Sequence, residues 1–231
     1  MDYRTFKLIL ILFISIILTA FSHIRNTKRN VNFDDIEFFE SPMKFISLDS
    51  VNKLLKQIKQ DTSTHLKRDL NLYERIMSNN EIIEKADLSI DIENRMFVSI
   101  KERNPVLRFI NQDSYLDDSG KLMPLSNKFT ERIPIIIGTI NEQHLQKLGI
   151  IGNFIKNDSF LKNHISGLEM DERFLVFYIK NKSFKLKMDF FNDVKKKFFN
   201  YKVFYKSVND SILNTYSMIN LNFKNQIIAK K

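Results

Sequence analysis

An uncharged apolar run close to the N-terminus constrains the fold of this chain more than any other feature. Leu8–Phe21 reads LILILFISIILTAF, and Arg4 and Lys7 precede it. Extension to Phe6–Ile24 gives a segment close to the about 20 residues that a helix needs to cross a bilayer. We therefore predict a membrane anchor at residues 8–24, with the bulk of the chain across the membrane. The anchor side chains are Leu8, Ile11, Phe13, Ile17 and Phe21.

A cleavable signal peptide is the alternative interpretation of this segment. Ala20-Phe21-Ser22 supplies small residues at the offset after the apolar run at which signal peptides are cleaved. Charge does not decide the orientation, because basic residues precede the run and also follow it closely. Both interpretations place the bulk of the chain outside the cytoplasm.

Composition narrows the chemistry that the rest of the chain can carry. The 231 residues are 43% hydrophobic, which is enough to bury a core. The formal net charge of +9 accompanies many Lys, Asn, Ile and Phe residues, a bias typical of AT-rich genomes. The charge is therefore weak evidence for nucleic-acid binding, and we predict no nucleic-acid partner. The chain has no cysteine, which excludes disulfides and Cys-ligated metals.

Hydrophobic periodicity predicts a small β-α-α-β-β module after a polar linker at residues 25–32. A strand at 31–39 precedes one helix that starts near Ser47 and another that starts near Asn71. Apolar and polar residues then alternate in two strands, which is typical of a half-buried sheet. The alternating apolar residues are Ala86, Leu88, Ile90 and Ile92 in the first strand and Met96, Val98 and Ile100 in the second. We place this module at residues 33–108.

The pattern of apolar and polar residues in 109–231 predicts an antiparallel β domain with flanking helices. Glu142–Lys156 and Phe190–Phe204 have the apolar spacing of amphipathic helices, and short apolar strands surround them. Two final strands, Tyr216–Phe223 and Gln226–Lys230, are joined by a tight turn at Lys224-Asn225. The predicted fold class is therefore α+β, with one transmembrane helix, the β-α-α-β-β module and the antiparallel domain.

Asp118-Ser119-Gly120 matches the catalytic tripeptide of aspartic proteases. That chemistry needs two aspartates that share a proton, whereas the sequence holds a single copy with the charged Asp117 and Lys121 beside it. Asp-Ser-Gly is also an ordinary turn sequence, and we predict a turn. The histidines lack metal-ligand spacing; they are His23, His65, His144 and His164. We predict no catalytic residue, no metal and no cofactor.

The order of these pieces resembles the FtsQ/DivIB family of bacterial cell-division proteins, particularly its forms from Bacteroidota. The family has a POTRA module of β-α-α-β-β order and a strand-rich C-terminal domain. One departure is Glu81, which stands where the family usually has Pro. The segments that carry the resemblance are Phe45–Val51, Asn80–Leu88, Lys101–Val106, Tyr115–Leu125, Ile133–Gly138 and Tyr216–Ala229.

The resemblance implies a bitopic inner-membrane protein with no enzymatic activity and no small-molecule substrate. Residues 1–7 would be a cytoplasmic tail and the bulk would be periplasmic, at the division septum. The POTRA-like module would meet other division proteins. The C-terminal domain would recruit FtsB- or DivIC-like and FtsL-like partners and link them to septal peptidoglycan synthesis. The alternatives are another POTRA-containing protein of envelope assembly or secretion and an exported envelope hydrolase.

We expect a partner to add a strand to the last strand of the chain, because an uncapped apolar sheet edge is a surface that proteins usually cover. Ile227 and Ile228 must point to opposite faces, so one packs on the core and the other is free for a partner. The triplet Lys195–Lys197 is a solvated helix face or attracts an acidic partner. The predicted partner-binding residues are Phe223, Gln226, Ile227, Ile228, Ala229, Lys230, Lys195 and Lys196.

Overall fold

A computed structural model describes residues 3–27, 32–39, 43–61, 70–138, 141–171, 174–189, 193–223 and 226–231. The first part of the chain contains α1 (Tyr3–Thr27), β1 (Asn32–Phe38), α2 (Leu48–Asp61), α3 (Leu70–Ser78), β2 (Ile83–Ile90) and β3 (Arg95–Glu102). The second part contains β4 (Pro105–Phe109), β5 (Ser114–Asp117), β6 (Leu122–Pro124), β7 (Ile135–Ile137), α4 (Glu142–Asn157), α5 (Ser159–His164), β8 (Ile165–Asp171), β9 (Phe174–Ile179), β10 (Lys185–Asp189), α6 (Val194–Ser207), α7 (Asp210–Leu213), β11 (Met218–Asn220) and β12 (Ile228–Lys230).

Helix α1 extends beyond the predicted anchor at both ends. It begins at Tyr3 and ends at Thr27, so it takes in residues that we assigned to the tail and the linker. The segment Tyr3–Ile24 is apolar enough to span a membrane, and its 22 residues give a length of about 33 Å. The predicted anchor side chains Leu8, Ile11, Phe13, Ile17 and Phe21 are all at least half exposed. An apolar helix with such exposure requires lipid or another cover.

The small module is the β-α-α-β-β unit that the sequence predicted. Its sheet has the order β1-β3-β2, with β1 parallel to β3 and β2 antiparallel to β3. Alternation along β2 and β3 selects the buried side chains, which pack against α2 and α3. The buried core consists of Ile46, Val51, Leu55, Ile58, Tyr73, Met77, Ile83, Ala86, Leu88, Met96, Val98 and Ile100.

Side chains of α3 close the outer edge of β2. Glu74 Oε1 accepts the N–H of Leu88 at 2.7 Å, and Ser78 Oγ accepts the N–H of Ala86 at 3.3 Å. A strand whose outward donors are already bonded offers little to an added strand. Strand addition at this end of the small sheet is therefore blocked by the helix itself.

The second domain is built on one nine-stranded sheet in the order β12-β11-β10-β9-β8-β7-β4-β5-β6. The α+β fold class is confirmed, but the sheet is mixed, whereas we predicted an antiparallel one. Strand β7 runs parallel to both β4 and β8, and β10 runs parallel to β11. Parallel neighbours need a crossover connection, and α4 with α5 and α6 with α7 provide two of them.

The chain passes from the small sheet to the large sheet earlier than we predicted. Strand β4 pairs with β5 and β7, so it belongs to the larger sheet. The boundary therefore lies between Glu102 and Pro105, whereas the sequence placed it after residue 108. The strand-like pattern of this segment identified a strand but not its neighbours, because pairing depends on contacts that are distant in sequence.

Helices α4, α5 and α6 pack on one face of the large sheet and enclose its core. Phe198 of α6 stacks on Phe154 of α4 at 5.7 Å between ring centroids and meets Phe177 of β9 edge-on at 5.4 Å. The opposite face of the sheet carries partly exposed residues, among them Glu169 and Tyr178. The domain thus has one helix-covered face and one polar face.

Candidate partner-binding edge and the joint between the modules

Strand β12 forms one end of the nine-stranded sheet. It pairs antiparallel with β11, with Ala229 opposite Ile219, and no strand among the described residues lies on its other side. The carbonyl of Lys230 accepts the N–H of Ser217 at 2.8 Å, so the backbone of Lys230 faces β11. Because backbone groups alternate along a strand, the N–H and C=O of Ala229 point outward. The edge therefore offers a donor and an acceptor to an added strand.

The side chains of β12 and the residue before it divide between the two faces as the sequence predicted. Ile227 and Ala229 pack against the core of the domain, beneath the helices. Ile228 points to the opposite face and is 46% exposed. Ile228 is therefore the apolar side chain of this edge that a partner can cover.

Two further predicted contact residues precede β12 in the chain. Phe223 is 46% exposed, and Gln226 is exposed as well. The predicted turn at Lys224-Asn225 lies outside the described residues. Phe223 adds a second exposed apolar side chain to this end of the molecule.

The lysine triplet of α6 does not act as one unit, whether as a solvated face or as a site for an acidic partner. Lys195 and Lys196 are exposed, whereas the side chain of Lys197 is 10% exposed and its Nζ donates to Asp189 Oδ2 at 2.6 Å. Helix α6 also lies on the core face of the sheet, opposite the face to which Ile228 points. The structure therefore does not bring Lys195 and Lys196 to the exposed side of β12.

A short segment before α2 lies at the joint between the two modules, and Glu102 holds its N–H groups. Glu102 Oε1 accepts the N–H groups of Phe45 and Ile46, and its Oε2 accepts that of Lys44, each at 2.8 Å. Three backbone donors thus share one carboxylate at the end of β3. Hydrogen bonds to a charged acceptor are among the stronger ones in proteins.

The second domain binds the other side of the same segment. Ser126 Oγ donates to the carbonyl of Phe45 at 2.6 Å, and Lys128 Nζ donates to the carbonyl of Met43 at 2.7 Å. The ring of Phe45 is buried with Tyr115 and Met123 of the second domain. The two modules are therefore joined by hydrogen bonds from side chains of the second domain to backbone carbonyls of this segment, and by a small apolar cluster.

The residues after Glu102 continue the joint. Arg103 Nη1 pairs with Asp117 Oδ2 at 3.0 Å, and Asn104 Nδ2 donates to Asp118 Oδ2 at the same distance. The family-like motif Lys101–Val106 predicted no role for Arg103 or Asn104. Both residues bind partners in the second domain, Asp117 and Asp118, so their role is to connect the two modules.

Asp118-Ser119-Gly120 forms the predicted turn. Asp117 Oδ1 accepts the N–H groups of Ser119 at 3.0 Å and Lys121 at 2.7 Å, and Gly120 has a φ of +86°. Helix α4 packs directly on this turn, because a Cβ at Gly149 would lie 2.8 Å from the carbonyl oxygen of Asp117. The carboxylate of Asp117 therefore stabilises the conformation of this turn.

His164 is the buried histidine of the described residues. Its Nε2 lies 2.6 Å from the hydroxyl of Tyr201, and the ring of Phe160 stacks on it at 4.5 Å. Burial, together with the smaller effects of Lys182 and Lys180, lowers the pKa of His164 to about 4. His65 lies outside the described residues, and within the described part of the chain no group of His, Cys, Asp and Glu could hold a metal ion.

These features define a class of protein: an apolar helix long enough to cross one membrane, a POTRA-like module, and a mixed α+β domain with an open sheet edge. The sequence also matches the family described as FtsQ/DivIB, C-terminal related, over residues 104–230. That match covers more than half of the chain and begins where the structure changes from one sheet to the other. The chain belongs to the FtsQ/DivIB family and is a cell-division protein, whose partners are other proteins of the division machinery.

A solved structure with some likeness is the major extracytoplasmic domain of the trans isomer of the cell-division protein DivIB from Geobacillus stearothermophilus. The two share 9% sequence identity with a TM-score of 0.32, over 39% of this chain and 81% of that one. This likeness is too distant to carry an argument, and the family assignment rests on the sequence match. No curated protein matches the chain.

Proposed function

We propose that this protein is a bitopic, non-catalytic scaffold of the division complex that binds an FtsB- or DivIC-like partner by strand addition at β12. The observation that supports this most is the outward N–H and C=O of Ala229, beside the exposed side chain of Ile228. Strand addition uses main-chain hydrogen bonds for affinity and alternate side chains for specificity. An FtsL-like protein joins through the same partner.

The choice of β12 is supported by a comparison with another edge. Donors on the outer side of β2 are bonded to Glu74 and Ser78 of α3, so that strand cannot accept a partner without displacing the helix. The outward groups of Ala229 have no such cover among the described residues. The partner's strand would run beside Ile227–Lys230 and place a side chain over Ile228.

The proposed membrane arrangement follows from α1 and from family membership. Helix α1 spans the inner membrane with its N-terminus in the cytoplasm, and both modules lie in the periplasm at the division septum. The POTRA-like module meets further division proteins, and the contacts of Phe45 with Ser126 and of Arg103 with Asp117 join it to the domain that carries β12. Through these contacts the protein links its partners to septal peptidoglycan synthesis.

The alternative of an envelope hydrolase is disfavoured by the surroundings of its candidate residues. Asp118 is bonded to the amide of Asn104, and no second Asp-Ser-Gly or Asp-Thr-Gly segment is present to share its proton. His164 is bonded to Tyr201 inside an aromatic cluster. Neither residue is arranged for nucleophilic or acid–base chemistry with a substrate.

Co-purification from the native envelope tests this proposal. The full chain, tagged at its N-terminus and extracted with a mild detergent, is expected to retain the FtsB- or DivIC-like and FtsL-like proteins of its own organism. A fluorescent fusion is expected at the division site. Recovery of outer-membrane assembly or secretion components in their place, with the fusion spread evenly around the cell, would contradict the division role.

A further inference from the structure

A cleft in the second domain gathers positive charge from several elements. It lies between the segment that leads into β7, the end of α4 and the start of β8, and its volume is about 330 Å³. A cleft of that size lies at the lower end of the range typical of ligand sites. Five of its lining residues are cationic and one, Glu131, is acidic; the cationic residues are Arg108, Arg132, Lys156, Lys162 and Lys180.

These cations lack direct ion pairs within the part of the chain that the structure describes. None of the five forms an ion pair with a carboxylate of the described residues. Lysines elsewhere in the domain do find such partners: Lys182 pairs with Asp210 and Lys197 pairs with Asp189. The distinctive feature of the cleft is therefore that five unpaired cations line one concave site.

Two of the lysines are held in place by neutral oxygens. Lys156 Nζ donates to Asn104 Oδ1 at 2.6 Å and to the carbonyl of Pro105 at 2.9 Å. Lys180 Nζ donates to the carbonyl of Lys162 at 3.3 Å. Neutral acceptors orient an ammonium group without cancelling its charge. Burial lowers the pKa of Lys156, Glu131 raises it, and Lys44 and Lys162 lower it, as expected where cations crowd together.

The floor of the cleft is apolar. Pro134, Ile155 and Ile165 are buried beneath the exposed cations, and Ile133 and Ile135 are partly buried beside them. A ligand that fits this surface carries negative charge for the rim and an apolar group for the floor. The lining residues include no aromatic side chain on which a nucleic-acid base could stack. A flat layer of lipid headgroups could not reach the floor of a concave cleft.

We propose that this cleft binds an acidic segment of a partner protein, with carboxylates at the cationic rim and an apolar side chain on the floor. Charge complementarity of this kind steers encounter and sets specificity. The site is separate from β12, because its residues belong to β4, β7, β8 and the adjoining helices and turns. The inference therefore stands whether or not the β12 edge binds a strand.

The test uses the full chain in nanodiscs of neutral phosphatidylcholine. The probe is a synthetic ten-residue peptide of alternating glutamate and leucine, and binding is measured by calorimetry at low and at high salt. Arg132→Glu with Lys162→Glu reverses two rim charges. Lys121→Glu with Lys206→Glu changes the net charge equally at exposed positions outside the cleft. A milder pair, Arg132→Gln with Lys162→Gln, serves if charge reversal disturbs the fold, which circular dichroism monitors.

The parent is expected to bind the peptide with an affinity that falls as salt rises. The cleft variant should bind about tenfold more weakly or worse, and the matched control should stay within about twofold of the parent. Equal weakening in both double variants would reduce the effect to net charge and overturn the proposal. Two other results would also overturn the proposal. One is that the parent does not bind the peptide. The other is that the parent binds phosphatidylglycerol vesicles and that the cleft variant alone loses this binding.

Discussion

Arg103 and Asp117 form a buried ion pair across the joint between the two modules. Their Nη1 and Oδ2 atoms lie 3.0 Å apart, and the side chains are 10% and 2% exposed. Arg103 follows the last strand of the small sheet, and Asp117 ends a strand of the large one. The pair therefore couples the small module to the sheet whose far end is the proposed binding edge.

Asp117→Ala should destabilise the protein by about 3–5 kcal/mol, because it leaves the buried Arg103 without its carboxylate partner. Asp117 Oδ1 also organises the turn at Ser119, which the change disrupts. Urea unfolding of the full chain in a neutral detergent measures the loss. Asp118→Asn is the matched control and should cost less than about 1 kcal/mol, because an amide oxygen can still accept from Asn104. Equal losses in the two variants would contradict the role given to the pair.

Glu102→Gln should loosen the joint, because a neutral amide with one oxygen cannot hold three backbone donors. The expected cost is roughly 1–3 kcal/mol, and amide hydrogen exchange at Lys44–Ile46 should accelerate. Glu84→Gln is a suitable control, because its partner Lys101 lies on the surface, where an ion pair contributes little to stability. Unchanged exchange at this segment in Glu102→Gln would show that the carboxylate does not hold the joint.

His164 should make the protein sensitive to mild acid. Its pKa falls from 6.5 to about 4 on folding, so the unfolded chain binds more protons between these values. The stability contribution is complete above pH 6.5 and is lost as the pH falls towards 4, by roughly 2–3 kcal/mol. His164→Gln keeps a polar partner for Tyr201 without titrating, so its unfolding midpoint should depend less on pH in this window. Parallel pH profiles for parent and variant would contradict this assignment.

Helix α1 should remain on the mature protein. The segment Tyr3–Ile24 is long enough to span a bilayer, and the scaffold role requires an anchor. N-terminal sequencing of protein extracted from membranes should return a sequence that begins upstream of Leu8. A mature chain that begins at His23, just after Ala20-Phe21-Ser22, would make the segment a signal peptide and the protein a secreted one.

The sequence predicted those parts of the fold that local periodicity determines. Strict alternation at Ala86 and Leu88, and again at Met96 and Val98, identified β2, β3 and the face they bury. The same rule correctly placed Ile227 and Ile228 on opposite faces of the last strand. Side-chain period and burial are properties of a few neighbouring residues, and a single sequence contains them.

Pairing between distant segments could not be derived in the same way. Helices α4 and α6 lie in the crossovers that make neighbouring strands parallel. The apolar spacing of these two segments identifies them as helices, but it does not show which strands they connect. The cationic cleft escaped notice because its residues run from Arg108 to Lys180 with no local pattern. The environment of Lys197 was missed for the same reason, since its partner Asp189 lies on a preceding strand.

The central claim is that a partner strand pairs with the outer edge of β12, and one substitution tests it most directly. Ala229→Pro removes the outward N–H, and edge strands tolerate proline where the N–H faces away from the sheet. Ala229→Ser keeps the N–H with a similar side-chain size, so it is the matched control. Both variants of the full chain, checked for folding by circular dichroism, are titrated with the FtsB- or DivIC-like partner. We expect about tenfold weaker binding or worse for the proline variant and parent-like binding for the serine variant. A folded Ala229→Pro protein that binds the partner as tightly as the parent would contradict strand pairing at β12.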